Sequence, residues 1–261
     1  MLHDLDSDSS KIIEAVRSTG VVVTEAMRLY VEYIVSNMKA IGTWQLSSAV
    51  YGFVGGTADA HKWNWKDLRD VDSAYRLTYP NGATHNDNGV STNGISQYIE
   101  TNFNASSLTT RNNHISIYLK SVGTSNSAHI LGATNASSTT STILLINRPN
   151  GTTFLSASSS NYQAVTNIQT ILTGYFLGNS TSVNIYLYKN STDITTARII
   201  GSATLLPSVT IIIGGSKTTA GIGSYSQITT PFSTIGSGLT DQQAIQQSQI
   251  VTNAQLILNR A

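Results

Sequence analysis

Cysteine is absent from the 261 residues, so no disulfide and no thiolate metal site organises this chain, and its fold tolerates either redox compartment. Charge is scarce as well: 11% of the residues are charged, against roughly 25% in an ordinary soluble domain. The formal net charge is +1 and no Lys/Arg face stands out, which argues against nucleic acid as a partner. Uninterrupted apolar windows of about 18 residues are missing, so no membrane-spanning segment is expected. The opening Met1-Leu2-His3-Asp4-Leu5-Asp6 is acidic and lacks the basic and apolar regions of a secretion signal, and none is expected.

Ser, Thr and Asn take the place of charge, suiting exposed strand faces and turns and competing with helix for the backbone. With 40% hydrophobic residues the chain still buries a sizeable core. The clearest element is Ser182–Ser191, where Val183, Ile185 and Leu187 share one face of an extended segment and Asn184, Tyr186 and Tyr188 the other. A turn over Lys189–Asp193 and a return strand at Ala197–Gly201 are expected to follow. Further strands are expected at Tyr75–Tyr79, Ile95–Glu100, Ile115–Leu119, Ala128–Gly132, Ile143–Asn147, Ala164–Ile168, Thr170–Leu177, Val209–Ile213 and Ser224–Ile228. Arg148-Pro149-Asn150-Gly151 is a strong turn signal. Many short strands with little helix between them predict an antiparallel sandwich, with polar, uncharged edges open to edge-to-edge association.

Two segments predict helix. From Lys11 to about Lys39 there is no proline, and Ile13, Val16, Gly20, Val23, Met27, Tyr30 and Ile34 recur at alternating three- and four-residue steps. Gly20 and the β-branched Val21-Val22-Val23 are weak points where this helix is expected to break. Its stripe admits two readings: an amphipathic helix lying on its own sandwich, or an assembly element that self-associates or docks on a larger particle. On the second reading Met27→Asp or Tyr30→Asp abolishes assembly and leaves the sandwich folded. At the other end Thr240 and Gln243 form a Thr-x-x-Gln capping box opening a helix to about Asn259, with Val251, Ala254 and Leu258 as its apolar stripe.

Between them lies the densest cluster of charge and aromatics, His61-Lys62-Trp63-Asn64-Trp65-Lys66-Asp67-Leu68-Arg69-Asp70-Val71-Asp72. Trp63 and Trp65 offer stacking faces to a glycan or protein partner, with Asp67 and Arg69 as hydrogen-bonding neighbours. The competing reading folds this segment over the sandwich edge, its Trp rings buried and Arg69 paired to a carboxylate. The spacing of Asp67, Asp70 and Asp72 matches no closed calcium loop, and the five histidines lack metal-ligand spacing, so neither metal nor cofactor is expected.

The run Tyr51–Ala58, then His61–Asp67, Asp72–Leu77, Asn81–His85, Thr92–Gly94 and Asn113–Ser116, closing with Ile235–Asp241 and a last helix ending Leu258-Asn259-Arg260, resembles a group of tailed-bacteriophage virion proteins. The resemblance covers residues 44–261 and implies a mainly β fold: an antiparallel concanavalin A-like (laminin-G-like) jelly-roll sandwich. The expected organisation is an N-terminal helical assembly or anchoring segment over residues 1–42 and a jelly-roll sandwich over 43–261, closed by a helix at 240–259. It implies a non-enzymatic virion component, assembled in the host cytoplasm: a head fibre, capsid-decorating or tail-associated protein. Homo-oligomers and other virion proteins are the partners this suggests, with Ile13, Val16, Val23, Met27, Tyr30 and Ile34 as the assembly face. A glycan-binding adhesion module recognising a host surface is the alternative. Hydrolysis is not expected, since a jelly-roll glycosidase needs paired carboxylates and Glu100 is the one Glu after the N-terminal helix.

Overall fold

The computed structural model describes residues 5–123, 129–135, 172–182, 184–195 and 205–260, together with the backbone of the strands Thr142–Asn147, Thr152–Ala157 and Asn167–Ile168. Its helices are α1 (Ser7–Ser18), α2 (Glu25–Ala40), the single turns α3 (Thr43–Leu46) and α4 (Ala58–His61), and α5 (Asp241–Ile257). None of them, among the described residues, is long and apolar enough to cross a membrane.

The fold is mainly β, an antiparallel jelly-roll-like sandwich flanked by helices. One sheet runs Ser47–Tyr51, Phe232–Ser237, Asn113–Leu119, Gly174–Ser180, Ile185–Lys189, Thr192–Asp193 in spatial order. The facing sheet runs Asn167–Ile168, Thr152–Ala157, Thr142–Asn147, His129–Thr134, Thr210–Ile213, Ile99–Asn104. A smaller four-stranded sheet joins Thr84–Asn86, Gly89–Ser91, Ile228–Thr230 and Ser121–Val122.

Period-2 alternation decides what each face buries. On the first sheet Ile115, Ile117, Leu119, Phe176, Ile185 and Leu187 pack between the sheets. The opposite face presents Val50, Tyr118, Tyr175, Leu177, Tyr186, Tyr188 and Phe232 to α1, α2 and α5. The first sheet is therefore covered on both sides, and the molecule has three layers: helices, sheet, sheet. Tyr186 and Tyr188 were expected on a wetter face than the structure gives them, because α5 covers it, while Asn184 stays half-buried. Tyr188 donates its hydroxyl to Asp241 at the start of that helix, at 2.9 Å.

The N-terminal helix is two helices. Asp6 caps α1 by accepting the Asp8 N–H, and Thr24 caps α2 by accepting that of Met27. Gly20 between them takes φ +85°, which glycine adopts without steric cost. Lys39 ties the two together by reaching Asp6 at 2.6 Å and Asp8 at 2.8 Å. On α5 the Thr240/Gln243 capping box forms, and the Gln243 amide also donates to the Ile41 carbonyl at the end of α2.

The three-four stripe faces inward. Ile13, Val16, Tyr30 and Ile34 are buried in this chain's own core beneath the helical layer, with Val23 packed partly buried against it. Met27 is intermediate in exposure. The apolar seam is used by the chain's own sheet and α5, as the reading of an amphipathic helix lying on its own sandwich expects.

Several strand boundaries differ from expectation for local reasons. Ile95 is 77% exposed, because the Asn93 side chain accepts the N–H groups of Ile95, Ser96 and Gln97 and holds a turn there; the strand begins at Ile99. At Tyr75–Tyr79 only Thr78 bridges to Glu100, since Tyr75 ends a 3₁₀ turn at φ +60°. Of the strand expected at Ser224–Ile228 only Ile228 is extended in a sheet: 224–227 are not strand, and the strand runs Ile228–Thr230. After Lys189 the turn forms with Asn190 and Ser191 both at positive φ, and the return pairs Thr192–Asp193. The expected return strand at Ala197–Gly201 and the turn at Arg148–Gly151 lie outside the described residues.

Candidate functional site

The aromatic-charged segment sits along the edge of the first sheet and is anchored there by Asn64. Its side-chain oxygen accepts the Val50 N–H at 3.0 Å, and its amide donates to the Ser48 carbonyl at 3.3 Å and the Ala74 carbonyl at 3.0 Å. Trp65 N–H completes the plug by donating to the Val50 carbonyl. The outer edge of Ser47–Tyr51 is thus occupied by the chain's own side chain and backbone, which answers the expectation of an open, sticky edge.

Both tryptophans turn inward, Trp63 at 8% and Trp65 at 4% exposure. Trp65 packs edge-on to Tyr30, with ring centroids 6.2 Å apart. It also fills the space over Gly52, where a Cβ would stand 2.1 Å from the ring. Trp63 lies under the Lys62 ammonium, 4.8 Å from the ring centroid. Neither ring is a free stacking platform, which corrects that part of the sequence reading. Arg69 and Asp67 form a fork-like pair on the surface, Nε–Oδ1 2.9 Å and Nη2–Oδ2 2.5 Å, and the guanidinium holds the Asp67 carboxyl below its usual range. The four residues do not converge: Trp63 lines one cleft, Trp65 and Asp67 another, and Arg69 neither.

What does converge is a groove around Lys62. One part, about 450 Å³, is lined by Asp59, Lys62, Arg76, Thr78, Tyr79 and His85, with Gly82 and Ala83 at its wall. A neighbouring part, about 390 Å³, is lined by Ser18, Thr19, Trp63 and Asp70, and again by Asp59 and Lys62. The polar groups are held in place by one another. Lys62 Nζ lies 2.7 Å from Asp70 and 3.6 Å from Asp59, and Arg76 reaches Asp70 at 2.7 Å and Asp72 at 2.9 Å. Hydrogen bonds from Lys62 and then Arg76 hold the Asp70 carboxyl below its ordinary range. Asp59, 77% exposed in its side chain, keeps most of its acceptor capacity for solvent or ligand. The Leu77 N–H donates to the Lys62 carbonyl at 2.7 Å, fixing this floor to α4.

Behind the groove, histidines pair. Gly56 N–H donates to His61 Nε2 at 3.1 Å, so the His61 proton sits on Nδ1 and is donated to His85 Nδ1, 3.1 Å away. Tyr79 packs edge-on to His85 at 4.4 Å, and burial pushes its hydroxyl well up. The sequence reading missed Asp59, Arg76, Tyr79 and His85, since they stand far apart in sequence and match no spacing rule.

Two histidines make stability acid-sensitive. Burial lowers His114 to about 4 and His61 to about 2, from 6.5. The unfolded chain therefore binds more protons than the folded one below pH 6.5. The stabilisation is fully present above that value and declines as pH falls toward 4. His114 alone accounts for a loss of about 3 kcal/mol across that window. Urea midpoints at pH 7 and pH 4.5 check this, and equal midpoints would contradict it.

Glu100 is committed elsewhere. Lys217 Nζ lies 2.6 Å from its carboxylate and donates also to Thr210 at 2.7 Å, on the facing sheet. Among the described residues, no group of three or more His, Cys, Asp or Glu is placed to hold a metal.

No protein-family model and no curated protein matches this chain. Among solved structures it is similar to domain 4 of AbnA, a GH43 extracellular arabinanase from Geobacillus stearothermophilus solved with arabinotriose. That match has a TM-score of 0.53 and 15% identity, and covers 78% of this chain and 98% of that one. It is also similar to Trypanosoma rangeli sialidase in complex with 2,3-difluorosialic acid, with a TM-score of 0.51 and 12% identity over 89% of this chain. The chain spans 40% of that sialidase. At these identities the likeness is one of fold: a β-sandwich of the kind found in glycosidase-associated domains.

Proposed function

We propose that this chain is a non-catalytic carbohydrate-recognition module whose binding face is the groove around Lys62. The observation that carries the reading is the arrangement of fixed donors and acceptors there. The Lys62 ammonium, the Arg76 guanidinium and the Asp59 and Asp70 carboxylates are set by their own ion pairs before any ligand arrives. A polyhydroxylated ligand needs donors and acceptors side by side at fixed positions, and a preformed set avoids ordering costs on binding. The similarity over nearly the whole length of a domain solved with arabinotriose supports this assignment of class.

A binding role, in place of hydrolysis, is supported by the state of the acids. Asp70 is held ionised by two cations, opposite to what a general acid requires, and Glu100 is bound to Lys217. Display of the module on a phage particle, as a fibre, decoration or tail component, is the finer reading; its support is the sequence resemblance over residues 44–261. A module of this kind carried on a virion would serve host-surface adhesion, so the two readings are compatible.

Screening the full chain on a panel of plant, bacterial and sialylated glycans, followed by calorimetry, tests the proposal. Asp59→Ala, an exposed substitution, is expected to weaken binding of a hit at least tenfold, about 1.4 kcal/mol. No hit on the panel, or a hit indifferent to Asp59, sinks the groove assignment.

A further inference from the structure

We propose that the Thr234 hydroxyl and the Gln247 carboxamide condense, with His114 as the base, into an intramolecular ester that locks α5 to the strand Phe232–Ser237 of the first sheet. Alternation along Asn113–Leu119 and Phe232–Ser237 puts His114, Ser116 and Thr234 on the face under α5, where Tyr175 and Gln247 join them. All five are 0% exposed. Apolar side chains would fill that space without desolvating polar groups, so the cluster calls for an explanation.

The hydrogen bonds assign each group a part. His114 Nδ1–H donates to the Ser237 carbonyl at 2.5 Å, which leaves Nε2 as an acceptor for the Thr234 hydroxyl, 3.1 Å away. This is a nucleophile, a base within hydrogen-bond reach, and a third group orienting the base. Ser116 contacts the same Thr234 oxygen at 2.5 Å and accepts the Thr234 N–H at 3.2 Å, so it donates its own proton to that oxygen and steadies it. The Gln247 amide nitrogen lies 3.3 Å from the Thr234 oxygen and 2.9 Å from the Tyr175 hydroxyl. Its carbonyl carbon is one C–N bond, about 1.3 Å, from that nitrogen. The amide oxygen, meanwhile, has no hydrogen-bond partner although it is buried. Burial lowers His114 to about 4, so its imidazole is neutral at neutral pH and Nε2 keeps a lone pair facing the Thr234 hydroxyl. It also raises Tyr175 to about 12, so that hydroxyl keeps its proton and can donate to the amide oxygen once the carboxamide turns.

The reaction balances without a co-reactant. The Thr234 oxygen bonds to the Gln247 carbonyl carbon as His114 takes the hydroxyl proton, the carbon–nitrogen bond breaks, and His114 returns the proton to the departing nitrogen. One ammonia leaves and an ester remains. A chain without cysteine would then hold a covalent staple between strand and helix.

Intact-mass spectrometry of the purified full chain tests this directly. The expected mass is lower than the sequence mass by one ammonia, with a digest peptide pair joined through Thr234 and Gln247 that hydroxylamine separates. Thr234→Val and Gln247→Ala are each expected to restore the full mass. A native chain at its full sequence mass after days at pH 7 and pH 9 overturns the proposal. So does an ammonia loss that maps elsewhere, such as to Asn81-Gly82, or that persists in either variant.

Discussion

Tyr30→Asp is expected to destabilise the fold by about 5 kcal/mol or more, and Met27→Asp by about 1 kcal/mol or less. The two residues are three apart on one apolar stripe, and an assembly seam would make them equivalent. In the fold they are not. Tyr30 is fully buried, packs on Trp65, and takes the Gln255 amide on its hydroxyl at 3.1 Å. Replacing it removes a large side chain and buries an unpaired carboxylate among apolar groups, two penalties that add. Arg260 lies over the ring at 5.7 Å and offers a cation, but an Asp side chain is too short to fill the space the ring vacates. Met27 is only partly covered and leaves a charge free to reach water. Urea denaturation of both variants decides the matter; equal, small losses would return the helix to an intermolecular role.

Asn64→Ala is expected to cost about 3 kcal/mol and to make the protein associate on concentration. The side chain accepts from Val50 and Lys66 N–H and donates to Ser48 and Ala74, so truncation leaves several buried backbone groups without partners at once. It also unplugs the edge strand Ser47–Tyr51, which then presents a free ladder to another copy. Denaturation midpoints report the first effect and light scattering across concentrations the second. A variant that loses stability yet associates no more than the native chain would show that Trp65 N–H guards the edge unaided.

Much of the sandwich is legible in the sequence because alternation is a local signal. Asn113–Leu119 and Ile185–Lys189 carry it plainly, and the Thr240–Gln243 box marks the start of α5 to the residue. What period 2 does not reveal is what lies against the outer face. Tyr186 and Tyr188 read as half-exposed because the helix covering them begins more than fifty residues later. Ser47–Tyr51 and Phe232–Ser237 went unrecognised for a related reason. They are small and Ser/Thr-rich, and become strands by pairing with each other across the length of the chain. The site shows the same limit. The cluster at 61–72 draws attention by composition, yet its tryptophans serve the core. The groove takes only Lys62, Trp63 and Asp70 from it and recruits Asp59, Arg76, Tyr79 and His85 from outside.

The pairing of the first described strand with the last has a consequence for how the molecule is made. Ser47–Tyr51 waits for Phe232–Ser237, and α2 waits for α5, so these elements acquire those neighbours only once residues 232–257 have been made. Such long-range closure slows folding and leaves apolar surface uncovered meanwhile. Until then the nascent chain carries α1 and α2 with the stripe through Ile13, Tyr30 and Ile34 uncovered by α5. Ribosome-bound chains halted before residue 232 should accordingly be captured by chaperones and cleaved readily by protease within the first forty residues, and chains released at full length should not.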